Sequence, residues 1–321
     1  MNGLVMRLHH GAVTVVCAVL ISLSIFSTSQ AGTLSAWGNN EFGQCDVPPG
    51  DDFLAVTGGY DHSLALKRDG SLVTWGWGRF GVLDAPSGND FVAVSSFLEH
   101  NLALRADGTV EAWGSNSVGQ IELPAGNDYV AVAAGGIHSV LLRADGSIAQ
   151  AGALNPPPAG NDFVAVAAGG FHGLALRADG SLAGWGNDNF GQASVPAGND
   201  FAAIAAGSHF SVVLKMDGSL IAWGRNQSGQ SVAPEGNDFV AIAAGAVHAV
   251  TLKADGSLAA WGYNGEGRRD VPAGRGFAAV ATGYHHSLAV VPEPSALLLL
   301  SIGVAGLLVL ARRRPKRHLG R

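Results

Sequence analysis

The chain has 321 residues, 14% of them charged and 47% hydrophobic, with a formal net charge of −6 and two cysteines. Between residues 32 and 291 the balance is more acidic, 12 Lys and Arg against 24 Asp and Glu for a net of −12, which excludes the clustered positive charge that nucleic acid or an anionic lipid surface requires. Two cysteines, one of them inside an N-terminal apolar run, exclude an intramolecular disulfide scaffold for the exported body, so packing must stabilise it.

At the N-terminus, Arg7, His9 and His10 precede the apolar run from Gly11 to Phe26, and Ser29-Gln30-Ala31 offers small residues for cleavage. This predicts a secretory signal peptide over residues 1–31, with Gly32 as the new terminus. Cys17 follows Val16, where lipid attachment needs a small residue, so a lipoprotein is not expected.

From residue 32 the chain repeats itself. Phe53, Phe91, Tyr129, Phe163, Phe201, Phe239 and Phe277 recur at spacings of 38, 38, 34, 38, 38 and 38. Trp37, Trp75, Trp113, Trp185, Trp223 and Trp261 keep step, and Ala151 stands where the fourth Trp belongs. A period in the range of about 20–50 residues signals a solenoid, propeller or array. Within one copy, Gly218–Gly224 is a short apolar run bounded by glycines and reads as a strand. Gln230–Ala233 reads as a second strand stopped by Pro234, and Gly236-Asn237-Asp238 as a turn. Phe239–Ala244, apolar on both faces, and His248–Lys253 read as two more, and Asp255-Gly256 predicts a type I′ hairpin into the next copy.

Four short antiparallel strands per copy predict an all-β fold, a seven-bladed β-propeller of four-stranded antiparallel blades. The repeat region begins at Gly32–Gly38 and ends at His286–Val291, so pairing of these N- and C-terminal strands is expected to close the ring and leave no free edge. Neither end carries the polar capping repeat that a linear solenoid needs. The expected domains are the signal peptide (1–31), the propeller (32–291) and a C-terminal segment (292–321).

That segment opens with Pro292-Glu293-Pro294, continues as an uncharged run from Ala296 to Ala311, and ends in Arg312-Arg313-Arg314-Pro315-Lys316-Arg317. The run is short of the roughly 20 residues a membrane-spanning helix uses, although flanking Arg and Lys can snorkel. It is expected to be a hydrophobic helix whose basic end stays in the cytoplasm, with the repeats outside.

Two resemblances follow. Ala168-Gly169-Gly170-Phe171-His172-Gly173-Leu174-Ala175-Leu176, then Asp179-Gly180 and Trp185-Gly186-Asn187, resembles the regulator-of-chromosome-condensation repeat. This implies a propeller fold and, one architecture hosting many activities, little about function. The tail resembles a PEP-CTERM sorting signal, which implies recognition and cleavage near Pro292, Glu293 and Pro294 by an exosortase-type enzyme in a bacterium that makes exopolysaccharide.

Chemistry that recurs from copy to copy reads as structure. His62, His100, His138, His172, His248 and His286 share one repeat position, with Phe210 in the fifth copy. A wide ring of six suits repeated backbone satisfaction better than zinc, which wants about four converging ligands. Ser63, His62 and Asp61 are adjacent on a strand, point to opposite faces and cannot form a relay. No helix is predicted in the body, so no phosphate loop opens one, and neither an enzyme, a cofactor nor a metal is expected.

What varies between copies is the rim formed by the loops after the Trp-Gly pairs and before the histidines. There lie Trp77, Arg79 and Phe80; Tyr60 and Asp61; Phe97, Leu98 and Glu99; Phe171; Tyr263; and Tyr284 and His285. Aromatics edged by charge suit a protein-binding or sugar-stacking surface, and drift of relaxed repeats is the bland alternative. The expected function is a non-enzymatic, exported binding protein of the cell envelope or matrix, membrane-anchored by its helix before processing, whose rim takes an envelope protein or exopolysaccharide. The alternative is a secreted inhibitor of an extracellular enzyme, since the repeat also resembles that of β-lactamase-inhibitor propellers. Guanine-nucleotide exchange, the activity of the repeat family's namesake, sits poorly with export and an acidic body.

Overall fold

The computed structural model describes residues 31–292, and apart from two 3-10 turns its regular elements there are all β-strands. Residues 1–30 and 293–321, and with them the expected signal peptide, the hydrophobic run and most of the sorting motif, lie outside the described residues. Among the described residues no helix is long and apolar enough to cross a membrane.

One repeat builds three antiparallel strands. The inner strand Phe201–Ala206 pairs with the middle strand Phe210–Lys215, which pairs with the outer strand Leu220–Gly224. A bulge between Phe201 and Ala203 shifts the register, and at the matching bulges Val92, Val130, Val164 and Val240 are thrown out to solvent. The middle strand is buried on both faces, as its continuous apolar run requires.

The expected sheets of four strands are not formed, and there are not seven of them. Among the described residues there are six sheets, five of three strands and one of six. In the six-stranded sheet, Ala279–Thr282, His286–Pro292 and Gly32–Gly38 continue into Phe53–Gly58, His62–Lys67 and Leu72–Gly76, the two halves joined only at Gly32↔Phe53. The fourth strand fails because its segment is tied into a compact loop. Gln230 Oε1 accepts the Ser228 N–H at 2.8 Å, Asn226 Oδ1 accepts the Ser231 N–H at 3.0 Å, and the Gly229 carbonyl accepts the Val232 N–H at 3.1 Å. Those donors are no longer free for a ladder.

The Asp-Gly hairpins also differ from expectation. Gly256 N–H bonds the Lys253 carbonyl at 2.9 Å with Gly256 at φ +78°, while Asp255 keeps a negative φ. This is a type I turn followed by a left-handed glycine, not type I′, because the Asp255 carboxylate accepts both the N–H and the hydroxyl of Ser257.

The inner strands pack side by side in a closed circuit, Ala279–Thr282 returning to Phe53–Gly58. Their axial residues are mostly alanine because so many strands converge there, and the axis holds a cavity of about 50 Å³ lined by residues such as Ala134, Ala206, Thr57 and Phe97. Outer strand Gly32–Gly38 pairs with His286–Pro292 at seven positions, so the last three-stranded unit takes its outer strand from the N-terminus.

The circuit has two unlike faces. One carries the hairpins and a repeated ion pair, such as Arg177 to Asp162 at 2.6 Å and Lys215 to Asp200 at 2.6 Å, with Arg177 also lying over the Phe163 ring. The other carries the variable loops.

Candidate functional site

The variable loops stand on a repeated hydrogen-bond frame. In three units a loop carbonyl accepts a serine hydroxyl and an indole N–H together: Gln192 O takes Ser211 Oγ at 2.8 Å and Trp223 Nε1 at 3.1 Å, Gln44 O takes Ser63 Oγ at 2.9 Å and Trp75 Nε1 at 3.0 Å, and Arg268 O takes Ser287 Oγ and Trp37 Nε1, each at 3.1 Å. The preceding unit's histidine completes the frame. His100 Nε2 meets Ser139 Oγ at 2.9 Å, His172 meets Ser211 at 2.8 Å, His248 meets Ser287 at 2.9 Å, and His286 meets Ser63 at 2.8 Å, closing the circuit. His62 uses Asn101 Oδ1 at 2.8 Å.

Where the serine is Ala249, the histidine is Phe210, and the two pack in one apolar cluster. Burial holds the imidazoles neutral, His62 and His172 down to about 4 and His100, His138, His248 and His286 to about 3. Among the described residues, no group of three or more His, Cys, Asp or Glu is placed to hold a metal ion. Cys45 is unpaired there, and burial, then the neighbouring Asp46 charge, pushes its thiol up to about 12.

A glutamine latches the loop after most Trp-Gly pairs by accepting the N–H two residues before it, as Gln44 does for Phe42, Gln120 for Val118 and Gln192 for Phe190. Two loops replace that glutamine, with Val82 and Arg268. Without the latch each becomes a 3-10 turn in which Phe80 (φ 58°) or Glu266 (φ 65°) is left-handed. Leu98 (φ 49°) is the third non-glycine of this kind among the described residues, in the hairpin where Phe97 replaces glycine. Such conformations cost of order 1–3 kcal/mol and persist only where surrounding structure enforces them.

All three flank one sector. Tyr60 and Tyr284 stack at 4.6 Å, with the His285 ring edge-on to Tyr60 at 4.9 Å. Arg268, buried despite its charge, donates to Glu266 at 2.5 Å and to the Gly265 carbonyl at 2.9 Å, meets His285 Nδ1 at 3.0 Å, and lies over Tyr263. Next to this, Phe42 stacks on Trp77 at 4.7 Å and 11°, Arg79 lies 5.4 Å from Trp77 and 4.3 Å from Phe80, and Arg79 pairs with Glu99 at 3.7 Å. The two clusters meet at Asp61, whose carboxylate takes Gln44 Nε2 at 3.2 Å and whose carbonyl takes the Trp77 N–H at 2.8 Å. Asp61 is 6% exposed, and burial, then the charges of Glu266 and Glu41, raises its carboxyl to about 6 against the opposing pull of Arg268.

The structure thus gathers Tyr60, Asp61, Trp77, Arg79, Phe80, Leu98, Glu99, Tyr263, Tyr284 and His285 into one sector, Leu98 through its carbonyl on the Tyr60 N–H at 2.7 Å. Phe97 is instead turned inward, buried at the axial cavity. Phe171 lies elsewhere, beside His209 at 5.3 Å, in a second cluster completed by Phe190 and Arg225. Phe42, Gln44 and Phe190 escape a search for departures from the repeat because they obey it; the loss of glutamine at Val82 and Arg268 was the legible signal.

The shortened fourth copy makes a notch of about 520 Å³ between Leu154, Asn155 and Phe171. Trp185, without its usual carbonyl, donates to Gln150 Oε1 at 2.9 Å, and its ring occupies the space that any side chain at Gly173 would need. His138, whose partner position is Gly173, is left with both ring nitrogens unpaired.

The family model described as "Regulator of chromosome condensation (RCC1) repeat" matches residues 53–82, 163–192 and 201–230, and the "PEP-CTERM protein-sorting motif" matches residues 290–314. No curated protein is significantly similar to the chain. Among solved structures, Prp20p from Saccharomyces cerevisiae is 19% identical with a TM-score of 0.71, covering 87% of this chain and 96% of its own. Human WBSCR16 is 20% identical with a TM-score of 0.69, covering 83% and 100%. The ectodomain of the Physcomitrella patens receptor kinase CR4 is 22% identical with a TM-score of 0.66, covering 76% and 71%. At these identities the likeness establishes the fold. The repeats, the propeller and the tail together make this chain an RCC1-repeat β-propeller that carries a PEP-CTERM protein-sorting motif.

Proposed function

We propose that this is an exported, non-enzymatic binding protein: led out by residues 1–31, held at the membrane by residues 292–321 until an exosortase-type enzyme processes it, and engaging a protein partner through the sector around Tyr60, Tyr284 and Trp77. The observation that carries the reading is the convergence there of the three left-handed non-glycine residues with the two aromatic stacks. Strain of that kind is retained where it positions side chains for use. A protein fits better than a polysaccharide because the rings cover one another. In the series Phe42, Trp77, Arg79, Phe80, the Trp77 ring stacks on Phe42 and has the Arg79 guanidinium 5.4 Å away, which leaves less open ring face for a sugar and brings charge to the contact. Prp20p, similar in fold, was described with binding properties to Gsp1p and histones, so the architecture admits protein ligands.

The test is binding of exported protein to fractionated envelope proteins and, separately, to exopolysaccharide from the same host, comparing the native chain with Trp77→Ala/Tyr284→Ala and with the hairpin-face change Asp179→Asn. Binding to a defined protein that is lost only in the rim variant supports the proposal. Equal binding by all three chains, or binding to polysaccharide alone, refutes it. An extracellular hydrolase as the captured protein, with its activity lost, makes the interaction inhibitory.

A further inference from the structure

The chain leaves the domain at the end of the strands opposite to the aromatic sector. The matched sorting motif starts at residue 290, so Val290, Val291 and Pro292 belong both to it and to the closing strand His286–Pro292. Val290 is 1% exposed and packs with Leu34 and Leu288. At one end of that strand Pro292 pairs with Gly32; at the other His286 pairs with Gly38. Tyr284 and His285 immediately precede His286, and the loop with Phe42 and Gln44 immediately follows Gly38. Six residue steps of about 3.3 Å put the sector about 20 Å from the exit point.

The tether is shorter than that. From Pro292 to Ala296, where the uncharged run starts, there are four Cα steps, which span at most about 14 Å when fully extended. A chain held at Ala296 cannot turn over to lay the sector flat on the bilayer, because that would lift the exit point about 20 Å above it. Residue 31, the last before the expected cleavage, enters beside Pro292 on the same face, so an uncleaved leader imposes the same orientation.

The geometry points to a fixed display: while the tail holds the protein at a membrane, the hairpin face with its Asp–Arg and Asp–Lys pairs is the proximal one, and the sector around Tyr60, Tyr284 and Trp77 faces away from the bilayer toward a partner outside it. This rests on the anchoring half of the function proposed above. It also sets a boundary for processing, since removal of Val290 or Val291 would strip the closing strand, whereas removal of everything after Pro292 leaves the described pairing whole.

The test uses the full chain with Cys17→Ser and Cys45→Ser, produced without exosortase and reconstituted in vesicles whose lipid headgroups carry a nitroxide quencher. A fluorophore is placed at Ala178→Cys on the hairpin face or at Asn189→Cys on the opposite rim, both exposed positions away from the aromatic sector, and a chain ending at Pro292 serves as the unanchored control. The expected result is flotation of the full chain but not of the control, with the 178 label losing most of its emission and the 189 label keeping its own. Flotation with the 189 label quenched as strongly as the 178 label overturns the display while leaving the anchoring intact. Failure of the full chain to float overturns the anchoring, and the display with it.

Discussion

Replacing His138 by Phe is expected to stabilise the protein, the opposite of what the same change does at the sister position His100. His138 is fully buried, both ring nitrogens lack partners, and the serine that serves four other units is Gly173. A buried donor or acceptor without a partner costs about 1–3 kcal/mol, and the phenyl ring removes both groups. Shape is not an obstacle. Phe210 already fills this repeat position opposite Ala249, its Cε1 standing where a Cβ on Gly207 would meet it at 2.1 Å, just as His138 Cε1 stands 2.4 Å from a Cβ on Gly135. Allowing for the slightly larger ring, His138→Phe should add about 1–2 kcal/mol, which for a domain of this size raises Tm by roughly 2–8 °C. His100→Phe breaks a bond to Ser139 and should lower stability by about 1 kcal/mol. Thermal and urea unfolding of the three proteins at pH 7.5 decides the matter. A His138→Phe protein destabilised as much as His100→Phe refutes the reasoning, because it means that His138 is satisfied in solution.

Acid should unfold the protein well above the carboxylate range. The buried histidines ionise near pH 3–4 when folded against 6.5 unfolded, so the unfolded chain binds protons first and stability, complete above pH 6.5, falls as the pH drops toward 3. By pH 5 each such histidine removes up to about 2 kcal/mol, readable as a falling urea midpoint that is shallower in a His-to-Phe variant. Asp61 has the opposite sign: its folded value near 6 lies above its ordinary 3.8, so the carboxylate opposes folding above pH 6 and the penalty fades below it. Asp61→Asn, which can still accept from Gln44, should stabilise by on the order of 2 kcal/mol at pH 8 and little at pH 4, and equal effects at both pH values contradict the placement. Gln192→Ala frees the Phe190 N–H and the Asn187 carboxamide, and should cost about 1–3 kcal/mol with faster hydrogen exchange at Phe190. Unchanged exchange there shows that the glutamine does not latch the loop.

Much of this protein is legible along the chain. The 38-residue period, the apolar runs between glycines and the Asp-Gly punctuation are local, and they suffice for the inner, middle and outer strands because a strand between packed neighbours needs only side chains that are apolar on both faces. The histidine frame was within reach too. His100 and Ser139 stand 39 residues apart, as do Phe210 and Ala249, so the matched exchange of His with Phe and Ser with Ala is written in the repeat. The missing fourth strand was not legible, because Gln230 and Asn226 compete for the same backbone groups and only the folded loop shows which wins.

The aromatic sector depended on tertiary structure more deeply. Its copy-to-copy departures are visible in sequence, yet whether they touch depends on a circuit that sets Tyr284 against Tyr60 across more than 200 residues. The same circuit turns Phe97 to the axis and carries Phe171 to another sector. Local sequence determined which segments become strands, since that choice is made by side chains a few residues apart. Which surface residues become neighbours was decided only by closure through seven pairs between Gly32–Gly38 and His286–Pro292, because contact across a ring depends on the angle between successive units and no short stretch of chain encodes it.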